Sequence, residues 1–256
     1  MPNLLVPRPW TSQPQFATGI NWANPITQGL TSANLPGVSR FDAVSGLQLS
    51  TASGTNTPSI STSGRVLQAT ASQSSVYTTA SPAQLTASGS ILWAGDLYAI
   101  PSGDGCLGGI TYNSANSNPY VMLELKRSTT ASNYGIYLAH SIGGNSNNVS
   151  SANNAGAPGN GYCYVGTATS GQQILYAGKI GTPAVGVSST AYSGALSSTS
   201  TSRIEIGDSL NARNPQSACA VMLMWNRVLS PAEVASISTN PWQIFRPNDA
   251  PTWGNV

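Results

Sequence analysis

The stretch Ala218-Cys219-Ala220-Val221-Met222-Leu223-Met224-Trp225 is apolar at every position. It falls far short of the roughly 18–20 apolar residues a bilayer span needs. Side chains alternate between the two faces of an extended chain, so a run that is apolar on both faces predicts a central strand covered from both sides. Just downstream, Ser230-Pro231-Ala232-Glu233 offers a hydroxyl N-cap, a proline at the first helical position and a glutamate three residues after the cap. That is a capping box, and it predicts a short helix with Val234 and Ile237 on its apolar side, stopped by Asn240-Pro241. Working upstream, period-two blocks recur between Gly, Ser, Asn and Pro: Leu47/Leu49, Ile91/Trp93, Val121/Leu123/Leu125, Tyr134–Leu138, Tyr162–Val165, Gln173–Ala177 and Arg203–Ile206. They predict half-buried antiparallel strands. The Asn-Asn and Gly-Gly pairs of Ser141–Gly161 predict a long rim loop. The fold expected is all-β, an antiparallel β-sandwich with one short C-terminal helix.

Composition narrows the function. Of 256 residues only 7% are charged (10 Lys+Arg, 8 Asp+Glu) with one His, whereas Ser, Thr, Gly and Pro are abundant. An ordinary soluble domain carries roughly 25% charged residues. A net charge of +2 without a Lys/Arg cluster argues against a nucleic-acid partner. No membrane partner is expected either: Met1–Trp10 lacks the basic and apolar regions of a secretory leader, and no run is long enough to span. Cys106, Cys163 and Cys219 are odd in number and widely spaced. They are expected to be small buried side chains.

The first 37 residues differ from the rest. Pro2, Pro7, Pro9, Pro14, Pro25 and Pro36 interrupt helix and ladder alike, while Leu4, Leu5, Val6, Trp10, Phe16, Ile20, Trp22, Ile26 and Leu30 need a surface to cover them. Residues 1–37 are therefore expected to form an extended arm, lying on its own domain or on a neighbour, and residues 38–256 a single β-sandwich domain. Leu4, Leu5, Val6, Pro9 and Trp10 are the expected arm contacts.

The segment Val221–Val234, with its Trp225-Asn226-Arg227 step and Leu229-Ser230-x-x-Glu233 helix start, together with Asn240-Pro241-Trp242-Gln243-Ile244-Phe245, resembles the closing part of concanavalin A-like jelly rolls of the laminin-G and pentraxin type. Gly171–Gly181 looks like that family's hairpin, with a strand ending at a Tyr176-x-Gly178 turn. Gly64–Leu67 and Gly89–Tyr98 sit where its early core strands would be. The resemblance spans residues 40–245 and implies a jelly-roll sandwich. A second resemblance is carried by Arg8-Pro9-Trp10-Thr11-Ser12-Gln13-Pro14-Gln15, Trp22-Ala23-Asn24-Pro25, Gly29-Leu30 and the closing Asn240–Phe245. It is similar to tailed-bacteriophage proteins with this fold. It implies a virion-surface location after synthesis in the host bacterial cytoplasm, with other virion proteins (major capsid or tail proteins) and copies of itself as partners.

The chemistry of the residues fits binding better than catalysis. Jelly-roll glycanases use an E-x-D-x-x-E strand that sets carboxylates on one face, and the sequence contains none. Glu205 and Asp208 would point to opposite faces of a continuing strand, and Glu124 stands beside Lys126 as a same-face ion pair. No enzymatic activity is expected. Asp104 and Asp208, each beside glycine, read as Asx-turn residues; a calcium site drawing on them and Asn211 is the alternative, and otherwise no cofactor is expected. Tyr112, Tyr120, Tyr134, Tyr137 and Tyr192 are candidate platforms for a host surface glycan, or else ordinary cross-strand packing. The expectation is a non-enzymatic virion structural protein, a capsid decoration, cement or fibre-head module anchored by its arm. The alternative is a lectin-like receptor-recognition module of the tail.

Overall fold

A computed structural model of the chain describes residues 11–15, 18–53, 56–69, 75–78, 88–98, 105–112, 120–130, 133–142, 145–150, 156–169, 171–191, 202–207 and 216–247. Its strands are β1 Thr18–Ile20, β2 Leu30–Asn34, β3 Leu49–Ser53, β4 Asn56–Ser61, β5 Gly64–Ala69, β6 Ser75–Thr78, β7 Gly89–Leu97, β8 Gly105–Tyr112, β9 Tyr120–Thr130, β10 Asn133–Ile142, β11 Asn145–Ser150, β12 Gly159–Ala168, β13 Gln172–Lys179, β14 Val185–Ala191, β15 Ser202–Ile206, β16 Ser217–Trp225 and β17 Phe245–Pro247. One helix, α1, spans Pro231–Thr239. Among the described residues all strand pairings are antiparallel, in a seven-stranded sheet ordered β11-β10-β9-β8-β15-β6-β3 and an eight-stranded sheet ordered β14-β13-β12-β7-β16-β5-β4 with β2 also on β16. This is the expected all-β sandwich.

The sheets are packed in three layers. Ile91, Trp93, Leu107, Ile110, Leu123, Leu125, Ile136, Leu138, Tyr164, Ile204 and Met224 meet between the two sheets. The other face of the eight-stranded sheet, with Leu92, Ala94, Val165, Leu223 and Trp225, is covered by Val234 and Ile237 of α1 and by Trp242, Ile244 and Phe245. That second cover is why Ala218–Trp225 is apolar on both faces. Each fully buried large side chain contributes about 1.5–3 kcal/mol before ordering costs. Cys106, Cys163 and Cys219 are buried and not in disulfides, and desolvation pushes Cys163 up to about 12. A thiol raised in this way is unreactive at neutral pH.

The N-terminal boundary differs from the expectation. Residues 1–10, with Leu4, Leu5, Val6, Pro9 and Trp10, lie outside the described residues. From Thr18 the chain is part of the sandwich: β1 pairs with β17, β2 pairs with β16, and Ile20, Ile26, Leu30, Ala33 and Leu35 join the outer core. The prolines do not interrupt these ladders, because Pro25 opens a 3-10 turn and Pro36 follows β2. The motifs Trp22-Ala23-Asn24-Pro25 and Asn240–Phe245 meet. Asn21 N–H donates to the Ile244 carbonyl at 2.7 Å, and Asn24 Nδ2 donates to the Gln243 carbonyl at 3.3 Å.

Two further expectations are corrected. Ser141–Gly161 is not one loop: β10 runs to Ile142, β11 follows as an edge strand paired from Tyr137↔Ser150 to Ile142↔Asn145, and β12 begins at Gly159. An edge strand is held by its main-chain ladder and needs no apolar alternation. The Tyr176-x-Gly178 step is not a turn either. The strand continues to Lys179, and the smallness of Gly178 lets Ala184 pack against it.

The helix start is built as the sequence predicts. Ser230 Oγ accepts from Glu233 N–H at 3.3 Å, and Glu233 Oε2 accepts from Ser230 N–H at 2.8 Å. Arg227 closes the motif with two bonds to the carboxylate, Nη1 to Oε2 at 3.0 Å and Nη2 to Oε1 at 2.6 Å, while its Nε donates to the Gln28 carbonyl at 2.6 Å. The Arg227 bonds, reinforced by Ser230, hold Glu233 down to about 2 against partial burial. A carboxyl depressed in the folded state adds stability above its unfolded pKa and loses it as pH falls through the folded value. Glu233→Gln is therefore expected to lower stability by on the order of 1–2 kcal/mol at neutral pH, the screened value for a partly exposed pair. In urea titrations the gap to wild type should stay constant above pH 5 and close towards pH 2. A gap that does not depend on pH would refute the assignment.

Candidate functional site

Five separated segments converge on a cleft of about 490 Å³: Ser12, Gln13 and Gln15; Thr62, Ser63 and Gly64; Asn160 and Gly161; Ile180; and Trp242. The volume lies in the roughly 300–1,000 Å³ range of small-ligand sites. Each wall is fixed by a hydrogen bond made behind it. Gln13 is buried where β5 and β2 part company along the shared edge of β16. Its carboxamide takes the place of the missing ladder there: Nε2 donates to the Arg65 carbonyl at 2.6 Å and to the Ala220 carbonyl at 3.3 Å, and Oε1 accepts from Arg65 N–H. Gly64, at φ +100°, makes room for it, since a Cβ there would sit 2.3 Å from Gln13 Oε1. Gln15 is held in turn, accepting from Arg65 Nε at 3.0 Å and donating to the Gln13 carbonyl at 3.0 Å.

The opposite wall hangs from Asp96, which is 4% exposed. Its Oδ1 accepts from the Ser63 hydroxyl and from Gly161 N–H at 2.8 Å. The β12 register shifts between Gly159 and Tyr162, and Gly161 turns its N–H inward by adopting φ +67°. Lys179 seals the end of the wall, with Nζ 2.6 Å from the Asn160 carbonyl and 3.3 Å from the centre of the Tyr162 ring. Burial lowers the pKa of its ammonium group, opposed by the Asp96 charge. Behind it Tyr162, Tyr164 and Trp93 stack in series at 5.6 and 6.0 Å between centroids. The side chains of Ser12, Thr62 and Asn160 remain exposed at the rim and make no hydrogen bond among the described residues.

The tyrosines singled out in the sequence lie on the other sheet and do not form one platform. Tyr112 and Tyr120 are partners across β8 and β9, whereas Tyr134 faces Thr129 and Tyr137 faces Lys126 across β9 and β10. At about 3.3 Å per residue, Tyr137 is roughly 20 Å along the sheet from Tyr120 and Tyr134 roughly 30 Å. Asp104, Asp208, Asn211 and Tyr192 lie outside the described residues. Glu205 is buried, with its Oε2 3.8 Å from Arg203 Nη2. No group of three or more His, Cys, Asp or Glu suited to a metal occurs among the described residues.

No protein-family model matches the chain, and no curated protein matches it. Solved structures do match. The binding domain of botulinum neurotoxin DC in complex with SialylT is 9% identical, with a TM-score of 0.59 over 83% of this chain and 52% of that one. Domain 4 of AbnA, a GH43 extracellular arabinanase from Geobacillus stearothermophilus, in complex with arabinotriose, is 9% identical, with a TM-score of 0.56 over 82% of this chain and 98% of that one. Trypanosoma rangeli sialidase in complex with sialic acid is 11% identical, with a TM-score of 0.56 over 83% of this chain and 33% of that one. The chain thus spans about a third of the sialidase and about half of the toxin binding domain. At these identities the likeness is one of fold, and the fold is the jelly-roll β-sandwich.

Proposed function

We propose that this chain is a non-enzymatic glycan-recognition module carried on a tailed-bacteriophage particle, with the cleft beside Gln13 as its binding site. The observation that carries the reading is the cleft itself: a preorganised concavity whose walls are fixed from behind and whose free groups are hydroxyls and an amide. The walls are held before a ligand arrives, so binding has to order only the exposed rim side chains. Support for a binding role comes from the AbnA domain, solved with arabinotriose, and from the toxin domain, solved with SialylT, both of which share this sandwich. Among the described residues no carboxylate lines the cleft, and Asp96, behind its wall, is engaged by Ser63 and Gly161, which favours binding over hydrolysis. The particle location rests on the sequence resemblance at both termini. Decoration or cement of a capsid through Leu4, Leu5, Val6, Pro9 and Trp10 is the companion reading for the arm.

The test uses the full chain on surface polysaccharides purified from susceptible bacterial strains. Retention on at least one polysaccharide, with no new reducing ends after prolonged incubation, is expected. Failure to bind any of them would overturn the recognition role, and released reducing ends would overturn the non-enzymatic one. For the particle role, a chain lacking Met1–Trp10 should fold normally yet fail to join particles; the deletion must stop before Gln13, which belongs to the sandwich. Normal incorporation would refute arm anchoring.

A further inference from the structure

Building on the recognition role proposed above, we infer that the cleft is selective for uncharged saccharides, of mono- or disaccharide size, read by the Asn160 carboxamide and the Thr62 and Ser12 hydroxyls. Every side chain lining the cleft is uncharged. Two cations border it without belonging to the lining, and each makes a contact to the protein. Arg65 Nε is turned to Gln15 Oε1 at 3.0 Å. Lys179 Nζ is turned to the Asn160 carbonyl and the Tyr162 ring. The Asp96 carboxylate sits directly behind Ser63 and Gly161. Among the described residues, a sialic or uronic acid carboxylate in the cleft would meet no cationic side chain in the lining.

The polar groups also divide their labour. Gln13, Gln15 and Ser63 spend their side-chain groups on the protein. Asn160, Thr62 and Ser12 stay uncommitted at the rim. A carboxamide supplies both donors and an acceptor, and each hydroxyl supplies both, which matches the vicinal hydroxyls of a neutral sugar. Ile180, with the small exposed part of Trp242, gives the apolar part of the lining, next to which the C–H groups of a sugar ring would lie.

Titration calorimetry and saturation-transfer NMR on the full chain test the inference, using neutral disaccharides of glucose, galactose, rhamnose and arabinose against sialyllactose and a galacturonic acid disaccharide. At least one neutral sugar should bind at least about tenfold more tightly than either acid. Its affinity should change less than about twofold between about 50 and about 500 mM salt. Asn160→Ala with Thr62→Ala, both exposed positions, should weaken it about tenfold or more. Stronger binding of an acidic sugar, a steep salt dependence, or a double variant that binds like wild type would overturn selectivity at this cleft. Each of those results would leave the recognition role standing. If no sugar of either class binds and purified polysaccharides fail as well, the recognition role falls with it.

Discussion

Gly95→Ala is expected to abolish folding, or to leave a chain weakened by more than about 3 kcal/mol, at the top of the range for an overfilled core. Gly95 lies within β7 against β16, next to the place where the register of the pair slips between Cys219 and Val221. A methyl group there would sit 2.1 Å from the Ala218 carbonyl oxygen and 3.1 Å from Trp93 Cζ2. The closest obstacle is main chain in the middle of a sheet covered on both faces, so no side-chain rotation relieves it. Relief would require β7 and β16 to separate, and the pairing of those strands joins the two halves of the eight-stranded sheet. Soluble yield and urea denaturation are the measurements. A variant whose stability falls by less than about 1 kcal/mol would show that the close approach at Ala218 is not a feature of the fold.

The second large effect is expected at Asp42, which is 1% exposed. Its Oδ2 accepts from the Ser32 hydroxyl and from Ala33 N–H at 3.1 Å, and its Oδ1 accepts from Val44 N–H at 2.9 Å, Ser45 N–H at 2.7 Å and the Ser45 hydroxyl at 3.0 Å. Asn34 Nδ2 extends the network to Ser32 Oγ at 2.7 Å. The carboxylate thus ties the turn after Phe41 to β2, and through β2 to β16. Asp42→Ala leaves several of these donors without an acceptor, and each buried orphan costs about 1–3 kcal/mol. A loss of about 3–5 kcal/mol is expected. Asp42→Asn should fall between, because an amide nitrogen would face donors in place of one oxygen. Equilibrium denaturation of the pair, with Ser45→Ala as a milder third variant, decides it. Equal stability of Asp42→Ala and wild type would overturn the assignment.

What the sequence disclosed followed the range of the physics involved. The capping box at Ser230–Glu233 is local and was legible. So was β16, because eight consecutive apolar residues leave a strand few places to go. The edge strand β11 was not legible, since Asn145–Ser150 is all polar apart from Val149 and is defined by a main-chain ladder to β10. Arg127 shows the same limit from the other side. It continues the buried alternation of Leu123 and Leu125, and becomes tolerable there because Nε reaches the Gly156 carbonyl at 2.8 Å and Nη1 the Gln216 carbonyl at 3.1 Å. Neither partner is near it in sequence. The weaving of Thr18–Leu35 into the sandwich was masked by proline content, although the apolar spacing of Ile20, Ile26 and Leu30 was the available signal. The cleft had no signature at all. Its residues come from five separated stretches, three of common polar types with glycine and two that supply Ile180 and Trp242, and only the fold gives them a shared wall. Tyrosines, by contrast, attract notice in a sequence wherever they fall, and the register spreads these over one sheet.

The carboxamide of Gln13 has a mechanical meaning as well. Among the described residues, tension that reaches Gln13 from upstream enters the sandwich at its bonds to Arg65 and Ala220, which lie in β5 and β16. The load is thereby taken up by an interior strand of the eight-stranded sheet rather than by a peelable edge. The same side chain forms part of the cleft wall, so a pull on the leading segment and a pull on a seated ligand would meet at one point. Force would then pass between the two attachments along a short path and leave the inter-sheet core nearly unstrained.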